Sequence, residues 1–180
     1  MSRGRVGVVG LAAGLAVLLS GCLGPGPMPM HGLNRRLAQQ GSQREPSLSG
    51  RWLALIANRQ GRDRVELVDV ARQRPVPLPG LNRPDALPLS VSVSADGDRL
   101  AVVRQLEGRT ELVLHRRALM SGESIPMVPA GVPRRAALRA DGREIAVEVS
   151  RGGVVQVDLI AVPCGALRAP VRPSGGRCRG

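Results

Sequence analysis

The chain has 180 residues and a formal net charge of +12, and all 26 of its basic Lys-or-Arg positions are arginine. Tyr and Phe are absent and Trp52 is the one tryptophan, which excludes nucleic-acid binding built on rows of stacking aromatics. The lack of lysine excludes a Walker A loop, and no Gly-x-Ser-x-Gly elbow, His-Glu-x-x-His or Cys-x-x-Cys occurs.

At the amino terminus Arg3 and Arg5 precede an apolar run from Val6 to Leu19 that stops at Ser20, Gly21 and Cys22. The run is shorter than the roughly 20 residues of a membrane span, and charged and apolar regions in that order predict an export signal over residues 1–21. Leu19-Ser20-Gly21-Cys22 resembles the lipobox of bacterial lipoproteins. The resemblance implies cleavage before Cys22, a diacylglyceryl thioether on its sulfur and an acylated amino group. With Leu23 after the cysteine, it implies an address at the periplasmic face of the outer membrane, and attachment to the membrane through the lipid. Cleavage removes Arg3 and Arg5, which lowers the formal charge from +12 to +10.

Residues 22–46 open on "LGPGPMPMHG" after the cysteine and continue as a polar stretch. This composition predicts a tether, within which a short helix over Leu33 to Gln40 is compatible with the sequence although its apolar face is thin. Met28 and Met30 are spacer residues in this reading.

From Ser47 to Pro163 the pattern becomes short runs of period-two alternation broken by Gly, Pro and Asp-Gly, which predicts strands. Val155, Val157, Leu159 and Ala161 fall on one side of such a strand and Gln156 and Asp158 on the other. The turn glycines Gly50, Gly97 and Gly142 are spaced by 47 and 45 residues. Four positions after each lies Ala54, Ala101 or Ala146, and eleven positions after each lies Gly61, Gly108 or Gly153. A second apolar strand and a Pro-studded segment close each unit: Pro75, Pro77 and Pro79; Pro126 and Pro129; Pro163 and Pro170. Such a repeat is one supersecondary unit stacked on its neighbours. Asp96-Gly97 and Asp141-Gly142 supply the positive φ of a tight hairpin turn, with Ser49-Gly50 as a degenerate copy. Proline cannot donate to a ladder, so the Pro-rich strand belongs at a sheet edge. Each unit reads as a four-stranded antiparallel meander, a propeller blade.

The turn Ser94-Ala95-Asp96-Gly97, its copy Arg139-Ala140-Asp141-Gly142, the strands "RLAVV" and "REIAV", and the acids Asp69 and Asp158 resemble the TolB-like β-propeller repeat. The expected fold class is all-β, a partial TolB-like propeller of about three four-stranded blades, with a compact β-sandwich as the alternative. Propellers close with about 4 to 8 blades. Three blades therefore form an open arc that contacts another protein, or half of a six-bladed ring completed by a homodimer.

Residues 164–180 form a Cys-containing basic tail. With Cys22 assigned to lipid, Cys164 and Cys178 are an even pair in an oxidising compartment, and a disulfide is expected; it would close a loop of about 15 residues, contributing about 3 kcal/mol.

No catalytic residue, cofactor or metal site is expected. His31 lies in the tether, and His115, beside Arg116 and Arg117, has no acid partner in sequence. Asp96 and Asp98 present oxygens at alternate positions but lack the further acids of a calcium loop. Glu66 and Glu111 occupy comparable second-strand positions, which with Glu148 suggests a repeated structural role rather than a glycosidase-like carboxylate couple. The function that the resemblance implies is a non-enzymatic, lipid-anchored interaction module of the cell envelope. A binder of anionic envelope polymer through the arginines is the alternative, and a remnant of a propeller-associated hydrolase comes third.

Overall fold

Each of the three repeats folds into one antiparallel sheet in the computed structural model, which describes residues 26–163. The signal segment, Cys22, Cys164 and Cys178 lie outside the described residues. The first blade consists of β1 (Gln43–Ser49), β2 (Trp52–Arg59), β3 (Arg62–Asp69) and β4 (Arg74–Val76), hydrogen-bonded in chain order. In the second, β5 (Ala86–Val93), β6 (Arg99–Leu106), β7 (Arg109–Arg116) and β8 (Ser121–Ile125) repeat that order. The third holds β9 (Val132–Leu138), β10 (Glu144–Arg151) and β11 (Val154–Ala161). Four strands per blade thus hold for the first two units. In the third, three strands are described, and Pro170 of its closing segment lies beyond Pro163.

The hairpins carry a correction to the turn chemistry. The tight two-residue turns are the second ones, Gln60-Gly61, Glu107-Gly108 and Gly152-Gly153, in which both residues have positive φ. That is the conformation whose twist matches antiparallel strands. In the first hairpins of the second and third blades only the glycine is left-handed, with φ of 72° at Gly97 and 70° at Gly142. Their amides close on Ser94 O and Arg139 O, three residues back. Asp96 and Asp141 do not supply positive φ; their carboxylates instead accept the Asp98 and Arg143 amides. Gly50 leads a two-residue turn with φ of 56°.

The sheets stack face to face, so the middle one is buried on both sides. Along β6, Leu100 and Val102 pack toward the first blade with Trp52, Ala54, Ile56, Val65 and Leu67. The alternate residues, Ala101 and Val103, pack with Leu112 and Leu114 against Ile145, Val147 and Val149 of the third blade. Burial of both faces explains why Leu100–Val103 at the middle of β6 is an unbroken apolar run.

Hydroxyls at the repeat spacing stitch the first strands of the blades together. Ser47 Oγ accepts the Val93 amide at 3.2 Å, and Ser92 Oγ accepts the Leu138 amide at 2.8 Å. Ser47, Ser92 and Ala137 are equivalent, each paired with the repeat alanine Ala54, Ala101 or Ala146. The turns add Ala95 N–H to Ala140 O at 2.7 Å and the Arg99 guanidinium to Gly142 O at 2.7 Å. Across the inner strands, Arg135 of β9 reaches Glu45 of β1 at 2.9 Å.

The amino-terminal boundary lies earlier than the composition suggests. A helix, α1 (His31–Ala38), and the start of β1 at Gln43 occupy part of the stretch read as tether. Leu33 is buried, and with Leu37 it lines a pocket shared with Val68 and Pro75. Val68 points away from the second blade, opposite to Val65 and Leu67, so α1 covers the outer side of the first sheet. Leu55 and Ala57, on that same side of β2, are buried as well. Residues 26–30 carry no regular structure.

Candidate interaction surface on the third blade

The repeat register shows which positions each blade offers to the next. The fourth and sixth residues of the third strand are Val65 and Leu67 in the first blade and Leu112 and Leu114 in the second, all buried. Each pair packs on the following sheet. The same positions in β11 are Val157 and Leu159, 66% and 80% exposed. Val155, on the same face by alternation, is also exposed. Opposite these three on β10 lie Ser150, Glu148 and Ala146.

The edge of β11 adds to this surface. The strand pairs with β10 on one side, and no described strand pairs with its other side. Along that edge a groove of about 600 Å³ runs between Val157–Ala161 and the linker residues Pro126 and Val128. An eight-residue edge with free amides and carbonyls is a template for strand addition.

Elsewhere the acids of the outer strands are committed to the fold. Glu66 pairs with Arg59, Glu111 with Arg104 and Asp158 with Arg151, one pair per blade and seven residues apart in each. Hydrogen bonding from Arg151 holds the Asp158 carboxyl below its ordinary range. Burial pushes the Glu111 carboxyl up, but bonds from Arg104 and Ser124 outweigh it and leave it low. These acids sit in separate blades, each on its own arginine, so they form no carboxylate couple. The register also corrects the alignment of the strand-ending acids. Asp69 is the eighth residue of β3, where β7 has Arg116 and β11 has Ala161, whereas Asp158 is equivalent to Glu66.

The turn residues are equally occupied. Asp96 accepts from Ser94 Oγ and from the Asp98 amide, and Asp98 accepts the Ala118 amide. Burial raises the Asp96 carboxyl, and these hydrogen bonds overcome it, leaving it low. Gly97 lies against the indole of Trp52, itself flanked by the guanidinium groups of Arg51 and Arg117 at 4.7 and 5.2 Å. His115 is fully buried, with neither ring nitrogen bonded within the described residues. Among those residues no three His, Cys, Asp or Glu side chains come together as a metal site. No described helix is long and apolar enough to cross a membrane.

No protein-family model matches the chain, and no curated protein matches it. Among solved structures it is similar to TolB from Acinetobacter baumannii, with 18% sequence identity and a TM-score of 0.52. The similarity covers 67% of this chain and 30% of that one, so it spans less than a third of the length of the chain it matches. The likeness is one of fold, and the three sheets are blades of a partial TolB-like β-propeller.

Proposed function

We propose that this protein is a non-enzymatic, lipid-anchored interaction module of the cell envelope, held through Cys22 at the periplasmic face of the outer membrane. In this reading it docks another envelope protein on the open face and edge of the third blade. The observation that carries it is the exposure of Val157 and Leu159 at positions that are core in both other blades. Burying a side chain of this size contributes about 2 kcal/mol, so an apolar partner surface gains from covering them. A second copy of the chain is the weaker occupant. A six-bladed ring needs the outer side of the first blade to meet the third blade of the other copy, and α1 covers that side.

Photo-crosslinking from positions 157 and 159 in intact cells tests the docking, and one discrete partner protein is expected. Recovery of lipid alone, or of the chain crosslinked to itself, overturns it. Replacing Cys22 by Ser tests the anchor separately: the protein should move from the membrane to the soluble fraction, and persistence at the membrane contradicts the lipid reading.

A further inference from the structure

A pocket lies under α1. Its volume is about 210 Å³. Leu33, Leu37, Val68 and Pro75 give it an apolar floor, and the exposed guanidinium groups of Arg36 and Arg74 stand on its lining. Gln40 lines it too, and its Oε1 atom is buried with no bonding partner among the described residues. Arg36 also donates to Gln73 O at 2.7 Å, which fixes the helix over β4.

The acids of β3 are already paired, Glu66 with Arg59 and Asp69 with arginines of its own. Arg35 and Arg72 flank the pocket in sequence, and neither Arg35 nor Arg74 has an acidic partner among the described residues. Asp69 is shared by Arg51 and Arg72 at 3.3 and 3.6 Å. No Asp or Glu occurs before Glu45 anywhere in the sequence. An apolar floor, a cationic rim and a buried acceptor suit an amphiphile whose head is anionic and carries a hydroxyl.

We propose that this pocket seats the headgroup of an anionic phospholipid at the membrane surface, with Arg36 and Arg74 on the phosphate and Gln40 accepting from a headgroup hydroxyl. The proposal rests on the lipid-anchor reading of Cys22 for its setting. Leu33 follows Cys22 by eleven positions, and a chain of that length spans at most about 40 Å. The pocket therefore never leaves the neighbourhood of a bilayer that holds Cys22. Docking there fixes one side of the first blade to the membrane and leaves the third blade for a partner.

The test measures partition of the full chain onto phosphatidylglycerol vesicles relative to phosphatidylcholine vesicles. Acyl chains on the anchor insert into both and cancel in the ratio, while Arg3 and Arg5, which favour the anionic vesicle, are the same in every variant and cancel between variants. Failure of the anchor reading is therefore seen in absolute binding and failure of this one in the change of the ratio from variant to variant. A ratio well above one is expected, falling about fivefold for each arginine removed in Arg36→Ala and Arg74→Ala. Arg36→Lys with Arg74→Lys should retain most of it, which separates loss of charge from loss of fold. The exposed pair Arg109→Ala and Arg134→Ala, distant in sequence from the pocket, should leave it unchanged. A wild-type ratio near one overturns the proposal, as does an equal loss in the Arg109 and Arg134 pair. Binding to a soluble acidic polysaccharide without preference for phosphatidylglycerol would also overturn it, in favour of a polymer ligand.

Discussion

Gly97 and Gly61 both have positive φ, at 72° and 78°, yet they differ in what surrounds them. A Cβ on Gly97 would lie 2.4 Å from the Trp52 ring, whereas one on Gly61 would meet nothing within 4 Å. Gly61→Ala should therefore cost only the left-handed backbone penalty, about 1 kcal/mol. Gly97→Ala adds overpacking against a buried indole and should cost about 3 kcal/mol, and denaturant titration of the two variants resolves the difference. His115 is the other residue whose surroundings set a measurable property. It faces the first blade beside Leu100, and burial pushes its imidazole pKa down while the charge of Asp98 opposes this and that of Arg104 reinforces it. The unfolded chain binds the proton more readily, so stability is full above an ordinary imidazole value of about 6.5 and falls as the pH drops below it. His115→Leu should remove that part of the acid-side loss and leave neutral-pH stability equal or about 1 kcal/mol higher, because two unbonded buried nitrogens disappear. Melting curves across pH 5 to 8, the range in which a histidine titrates, check the sign.

At the scale of the strand, the hydroxyl series of Ser47, Ser92 and Ala137 couples one blade to the next. Ser92→Ala leaves the Leu138 amide buried without its acceptor, which should cost about 2 kcal/mol. Ala137→Gly is no comparison for it, since that changes the backbone. The informative partner is Ala137→Ser, which sits on an exposed face and should be near neutral; thermal denaturation distinguishes the two. Much of this organisation is legible in the sequence. Gly61, Gly108 and Gly153 mark true two-residue turns, and the alternation in β11 places Val155, Val157 and Leu159 together as the structure does. For α1 the sequence allows a short helix with a thin apolar face but not its place on the first blade, because Leu33 is buried against a sheet side formed by residues such as Val68, far along the chain. The polar β1, "QREPSLS", escapes notice for a related reason. Its residues alternate between half-buried and exposed rather than between apolar and polar, and its ladder partner β2 carries the hydrophobic signal. Asp158 reads as a counterpart of Asp69 because an acid near a strand end looks the same in sequence at the fifth and the eighth position. Only the cross-strand register separates them.

For the molecule as a whole, identical chemistry at equivalent positions should have opposite effects. Val157→Arg with Leu159→Arg places charge on an exposed face and should change stability by less than about 0.5 kcal/mol, while abolishing the crosslinked partner. Val65→Arg with Leu67→Arg puts the same charges between two sheets and should prevent folding. Equal damage in both pairs would show that the third blade's face is covered within the protein itself. Circular dichroism together with the crosslinking yield reads both halves of the comparison.

The helix over the first blade and the bare face of the third make the two ends of the stack unequal. In an array whose units contact only their neighbours, stability is a sum of unit and interface terms. Among the described residues the middle sheet has two interfaces, the first has one and a cap, and the third has one alone. Opening therefore begins at the carboxy-terminal end and runs inward like a zip, with β11 amides exchanging hydrogen first and β6 amides last. A partner seated on the third blade acts as the missing end-stop, so that its binding and the slowing of β11 exchange are two readings of one event.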